Sequence, residues 1–231
     1  MHSDLAPTLT PRRERGSPLG TALHRNSRRL LALFALSTAV ATAVVAGTVD
    51  FVGAVPYTAV STLDPLTSAR LAVEVGIVVG LASTAVATAC VVAGDPRVRV
   101  GRAVPLVLVA PVGFVAGVTA GHAVLPALFA LQPAGSVTSL AVAVGPAGVV
   151  ELALFFPVAV GVGAALPAVS VAAVRAGAVP RYTSTRQRGI VALAVVTIAA
   201  THSPPDLATF GLVALPLFVG FGTGLAWLEL A

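Results

Sequence analysis

The stretch Asp95-Pro96-Arg97-Val98-Arg99-Val100-Gly101-Arg102 decides how this chain folds. It is short, basic and turn-rich, and it separates two long apolar runs, about Ala69 to Ala93 and Ala103 to about Leu131. Each run is long enough to carry an α-helix across a bilayer, which takes roughly 20 apolar residues. The pattern repeats on either side. Upstream, a polar segment ending in Arg28 and Arg29 precedes an apolar run from Leu30 to Val49, closed by Asp50 and a loop to about Ser68. Downstream come a turn region at Gln132–Ser139, a run from Val142 to about Val174, and a polar loop at Arg175–Arg188. A short run at Gly189–Ala200, a tight turn at Thr201–Asp206 and a last run from Leu207 to about Leu228 complete the chain.

Composition gives the solvent. Hydrophobic residues make up 57% of the chain and charged ones 10%, with a mean hydropathy of +0.96. A soluble domain keeps about a quarter of its residues charged, so most of this surface is predicted to face lipid. All 14 basic side chains are arginines, and their grouping sets the topology. With the N-terminal tail inside, six spans place every arginine except Arg70 on the cytoplasmic side, as the positive-inside bias requires. The expectation is an all-α, polytopic cell-membrane protein with a polar cytoplasmic tail at 1–29, six transmembrane helices over 30–231, and both termini cytoplasmic. Gly189–Ala200 would give only about 18 Å of helix against a hydrocarbon thickness of about 30 Å. The last two helices are therefore expected to be short, either as a re-entrant or protein-buried pair or as a device that thins the bilayer locally. Prolines at 105, 111, 126, 157, 167 and 216 favour a curved, concave bundle. Small residues are so abundant that no single small-xxx-small match is specific.

Several function classes drop out. A nucleic-acid protein needs a continuous basic face, whereas these arginines stand in groups between apolar runs. Cys90 is the sole cysteine, so there is no disulfide framework and no metal cluster. No nucleotide loop, zinc spacing or nucleophile–base pair is present, and neither an enzyme nor a cofactor is expected. A membrane haem would need histidines on facing helices, and His122 is alone within the spans, so it reads as a packed or interfacial side chain. Ser27-Arg28-Arg29-Leu30-Leu31 looks like a twin-arginine export signal, but its apolar run is too long for a cleavable one and five more spans follow. It reads as the first helix with its basic anchor. Glu74 and Glu151, near the outer ends of the second and fourth spans, are candidate intramembrane acids, because a carboxylate in a membrane is a functional hypothesis by default. Arg70 lies four residues before Glu74, on the same helix face, and pairs naturally with it. Glu151 has no sequence-local partner.

In the second half the spacing Phe114-x2-Gly117-x4-His122-x3-Pro126-x2-Phe129 resembles the third-helix pattern of the TatC family, subunits of the twin-arginine protein translocase. Pro167 falls where the family has Phe-Glu-x-Pro, and Gly177 and Arg188 fall in the following loop. Ser203-Pro204-Pro205-Asp206 is similar to the family's Thr-Pro-Pro-Asp turn, and Pro216 and Gly224 match positions of its last helix. Arg28-Arg29-Leu30-Leu31 resembles the end of the N-terminal segment. The resemblance implies a scaffold and receptor for exporting folded proteins whose signal peptides carry paired arginines. It implies work alongside small single-span Tat subunits, and alongside a TatC paralogue if this copy is incomplete, with no covalent chemistry.

The departures concern the acids. A guanidinium is best met by a bidentate carboxylate, and the family places one Glu in the N-terminal segment and one in the first cytoplasmic loop. Those positions hold Arg25 and Arg99 here, and the intramembrane Glu of the fourth helix is Ala165. Phe210 and Gly222 replace two further polar positions. Either acids shifted in register, Glu14 in the tail and Asp95 in the loop, contact the signal peptide, or the chain no longer binds the signal itself. Asp206, the acid kept in place, has two readings, a cap for the last helix or a direct functional part. A small-solute or ion transporter of six helices is the alternative class, although the internal repeat typical of such proteins is missing. A scaffold without transport of its own is another.

Overall fold

The computed structural model describes residues 17–51, 53, 63–130, 140–179, 185–201 and 207–230. Six α-helices follow one another: α1 (Pro18–Thr48), α2 (Pro65–Ala93), α3 (Val104–Ala130), α4 (Leu140–Arg175), α5 (Thr185–Thr201) and α6 (Leu207–Leu230). A single 3-10 turn at Val100–Arg102 leads into α3, and no strand occurs among the described residues. Five helices, all but α5, are long and apolar enough to cross a membrane.

Local chemistry sets the ends. α1 begins at Pro18, inside the segment expected as a polar tail. Ser17 caps it by accepting the Gly20 N–H at 3.1 Å, with proline in the first turn, where its missing N–H costs nothing. Asp64 and Pro65 open α2 in the same way, the carboxylate accepting the Leu66 N–H at 3.1 Å. The expected short final pair is corrected in part. α5 is the shortest α-helix, but its 17 residues make about 26 Å because the polar turn Thr185–Arg188 extends the helix beyond its apolar stretch. α6, with 24 residues, is a full-length helix.

Glycine stripes decide which helices touch. On α3, Gly113, Gly117 and Gly121 lie against Pro157, Val160, Gly161 and Ala164 of α4. Gly76 and Gly80 of α2 receive Thr38, Thr42 and Phe34 of α1, and Gly163 of α4 meets Pro216 and Gly220 of α6. Backbones approach this closely only where no Cβ intervenes. α4 is the central, most buried span, flanked by α3 and α6, while α5 packs on α6. The α1–α2 hairpin joins this group mainly at its two ends. Phe51, Leu71 and Ala72 enter the main apolar cluster with Leu125, Phe129, Val149, Val150 and Leu152. At the other end Ala22 and Val92 meet Ala178.

Candidate functional site

The end of the bundle that carries most arginines is organised by the turn after α4. Gly177 adopts φ +75°, the left-handed conformation that glycine tolerates best. The Gly177 N–H bonds the Val174 carbonyl at 3.0 Å and the Ala178 N–H the Ala173 carbonyl at 2.9 Å, the two bonds of a Schellman ending. This turn then ties in the other hairpin. The Leu19 N–H donates to Ala178 O at 3.2 Å, and the Arg99 N–H to Ala176 O at 2.9 Å.

Beside this tie, α1 and the end of α2 enclose a groove of about 550 Å³. Thr21, Arg25 and Arg29 recur every four residues and so share one face of α1. Asn26 lines the groove with them, opposite Cys90, Val91, Gly94, Asp95 and Pro96. Asp95, an expected signal-peptide contact, is already engaged. Its carboxylate takes the Arg97 guanidinium at 2.7 Å (Nη2 to Oδ2) and 3.0 Å (Nε to Oδ1), and it accepts the Arg97 N–H at 2.9 Å. These hydrogen bonds, the side-chain ones foremost, hold its pKa down to about 2. Among the described residues neither Arg25 nor Arg29 has an ion-pair partner. Glu14, the other expected contact, lies outside the described residues.

At the opposite end, Arg70 bridges both candidate intramembrane acids. Its Nε meets Glu74 Oε1 at 2.7 Å, and its Nη2 meets Glu151 Oε1 at 3.1 Å. The two glutamate side chains are 10% and 6% exposed, whereas the arginine is 59% exposed and reaches outward. Glu74 Oε2 is buried without a hydrogen-bond partner among the described residues. The Arg70–Glu74 pair is legible from spacing; the bond to Glu151, from α2 to α4, is not.

The family-motif residues serve close packing. Gly117 is buried on Gly161, and the Phe114 carbonyl and ring, also on α3, lie against Gly161 beside it. Pro126 is exposed within α3. Pro167 faces Gly224, and Pro216 faces Gly163. Arg188 pairs with Glu229 at 2.7 Å, linking α5 to α6, a partner the sequence reading missed for lack of any local spacing. Pro204, Pro205 and Asp206 lie outside the described residues. His122 is exposed on α3. Among the described residues no group of three His, Cys, Asp or Glu is arranged to hold a metal ion.

Packed helices, five of them long and apolar enough to span a bilayer, define a polytopic helical membrane protein. The family model for the Sec-independent protein translocase protein (TatC) matches residues 21–216, a segment that includes the groove and the Arg70 cluster. The chain belongs to the TatC family and is a membrane component of Sec-independent protein translocation. No curated protein and no solved structure matches it.

Proposed function

We propose that this protein is a scaffold subunit of the twin-arginine translocase that has given up direct recognition of the signal peptide. In this reading it crosses the membrane six times with both termini in the cytoplasm, α5 serving as the fifth span. It associates with the small single-span subunits and leaves the arginine pair to another subunit, a TatC paralogue being the natural candidate. The groove carries the proposal. An arginine-pair receptor needs free carboxylates, and this groove presents Arg25 and Arg29 while Asp95, its one acid among the described residues, is held by Arg97. Cationic walls repel a cationic ligand. The Arg70 cluster supports the scaffold role, since two buried acids on separate helices share one guanidinium and fix α2 against α4.

Affinity purification from membranes that contain the complete set of Tat subunits tests this. The single-span subunits are expected to co-purify. Their absence, together with normal export in cells lacking this chain, would reject the scaffold role and favour the transporter alternative.

A further inference from the structure

We infer that the groove between α1 and α2 binds an anionic phospholipid headgroup. The ligand-facing charge is that of Arg25 and Arg29, because Asp95 is balanced by Arg97. Thr21 and Asn26 already donate to backbone carbonyls, at Ser17 O and Ala22 O, both at 3.1 Å. The two guanidiniums are the charged donors left for a ligand, beside the second N–H of the Asn26 amide, and paired guanidiniums match phosphate oxygens in geometry and charge. The groove's volume of about 550 Å³ accommodates a phosphate with its glycerol.

A lipid, rather than a soluble or peptide anion, follows from what continues below the groove. Arg29 directly precedes the first apolar run, so the site lies at the boundary of the hydrocarbon. Leu36, Val40 and Val44 follow Arg25 and Arg29 on the same side of α1 at helical spacing. They are 65%, 54% and 54% exposed, an apolar track on which acyl chains can lie while the headgroup sits between the arginines. Basic pockets between membrane helices suit such headgroups. This assignment stands whether or not the protein associates with the other translocase subunits.

The test is native mass spectrometry of the full chain with titrated phosphatidylglycerol, against phosphatidylcholine as the neutral reference. The variants are Arg25→Gln/Arg29→Gln and Arg28→Gln, the last removing a neighbouring arginine that does not line the groove. The wild type is expected to retain phosphatidylglycerol selectively. The double variant should lose about thirtyfold in affinity, roughly fivefold per arginine, and Arg28→Gln should bind within about twofold of wild type. Equal losses in both variants, or none in the double variant, would overturn the site. Circular dichroism confirms that the variants fold, and a second readout needs no variant at all. Cys90 lines the groove, so its maleimide labelling should slow in phosphatidylglycerol nanodiscs relative to phosphatidylcholine ones, and equal rates count against the proposal. Inorganic phosphate that binds in neutral nanodiscs as tightly as the lipid would assign the groove to a soluble anion instead. An acidic peptide that displaces the lipid at equal concentration would reassign it to a protein partner.

Discussion

Replacing Gly117 by alanine adds one methyl group at the closest approach of α3 and α4. Its Cβ would stand 2.7 Å from Gly161 Cα, 2.7 Å from Val160 O and 3.0 Å from Ala164 Cβ. Non-bonded carbon atoms settle at about 3.5–4.0 Å, so the helices must part by roughly 1 Å. The obstacle is backbone, which cannot rotate away as a side-chain tip can. Overpacking of this kind costs about 1–3 kcal/mol. Alanine's better helix propensity returns at most about 1 kcal/mol, leaving a net loss. Gly222 on α6 provides the control, because nothing lies within 4 Å of its added Cβ. Gly222→Ala should be neutral or slightly stabilising. Reversible unfolding in mixed micelles, followed by circular dichroism and by the fluorescence of the single tryptophan, Trp227, reads both. Equal stabilities for the two variants would refute the claim that glycine contact sets the α3–α4 spacing.

Gly177→Ala meets no steric neighbour, since its Cβ would be 4.0 Å from Arg97 O, but it must hold φ +75°. It should cost about 1–2 kcal/mol by the same assay, with Gly177→Asn milder and Gly177→Val worse; an unordered series would contradict the Schellman ending. Arg70→Ala strands two buried carboxylates and should destabilise by about 1–3 kcal/mol, below a fully buried pair because the arginine is largely exposed. Adding Glu151→Gln should recover part of that loss in a double-mutant cycle, and strict additivity would argue against the shared guanidinium. Asp95 has a folded pKa of about 2, below its unfolded value near 4. Its contribution is therefore fully present above about pH 4 and fades as pH falls toward 2. Amide exchange at Arg97, whose N–H donates to Asp95, should stay slow relative to Asp95→Ala at pH 5–7, and no difference there would discard the bond.

The helix series was legible because lipid imposes long apolar runs and the arginines mark their ends. Those signals placed α2, α3 and α4 within a few residues. The apolar run from Leu30 understates α1 because Thr21–Arg29 is polar, yet Ser17 and Pro18 start a helix there without any apolar run. The apolar run understates α5 for the same reason, its first turn carrying Arg186 and Arg188. Contacts between helices were mostly hidden. Glycines at fourfold spacing abound in this sequence, and only the structure shows that Gly117, Gly76 and Gly163 face a neighbour while Gly211 and Gly222 face open space. The Arg70–Glu74 pair follows from spacing, but Glu151 reaches the same arginine across 81 positions, a separation that carries no local pattern. The family resemblance sets Arg25 where an acid is expected. That it joins Arg29 in one groove depends on how α1 lies against the end of α2.

The proposal that the α1–α2 groove does not receive the signal peptide is tested most directly by a photo-crosslinking residue in place of Val91. The residue lines that groove, and the probe works in membranes holding the whole translocase and a preprotein with paired signal arginines. The account predicts no signal-peptide adduct at position 91 while the single-span subunits still co-purify with the chain. An adduct that forms at position 91 and disappears when the arginine pair is replaced by lysine or glutamine would contradict it.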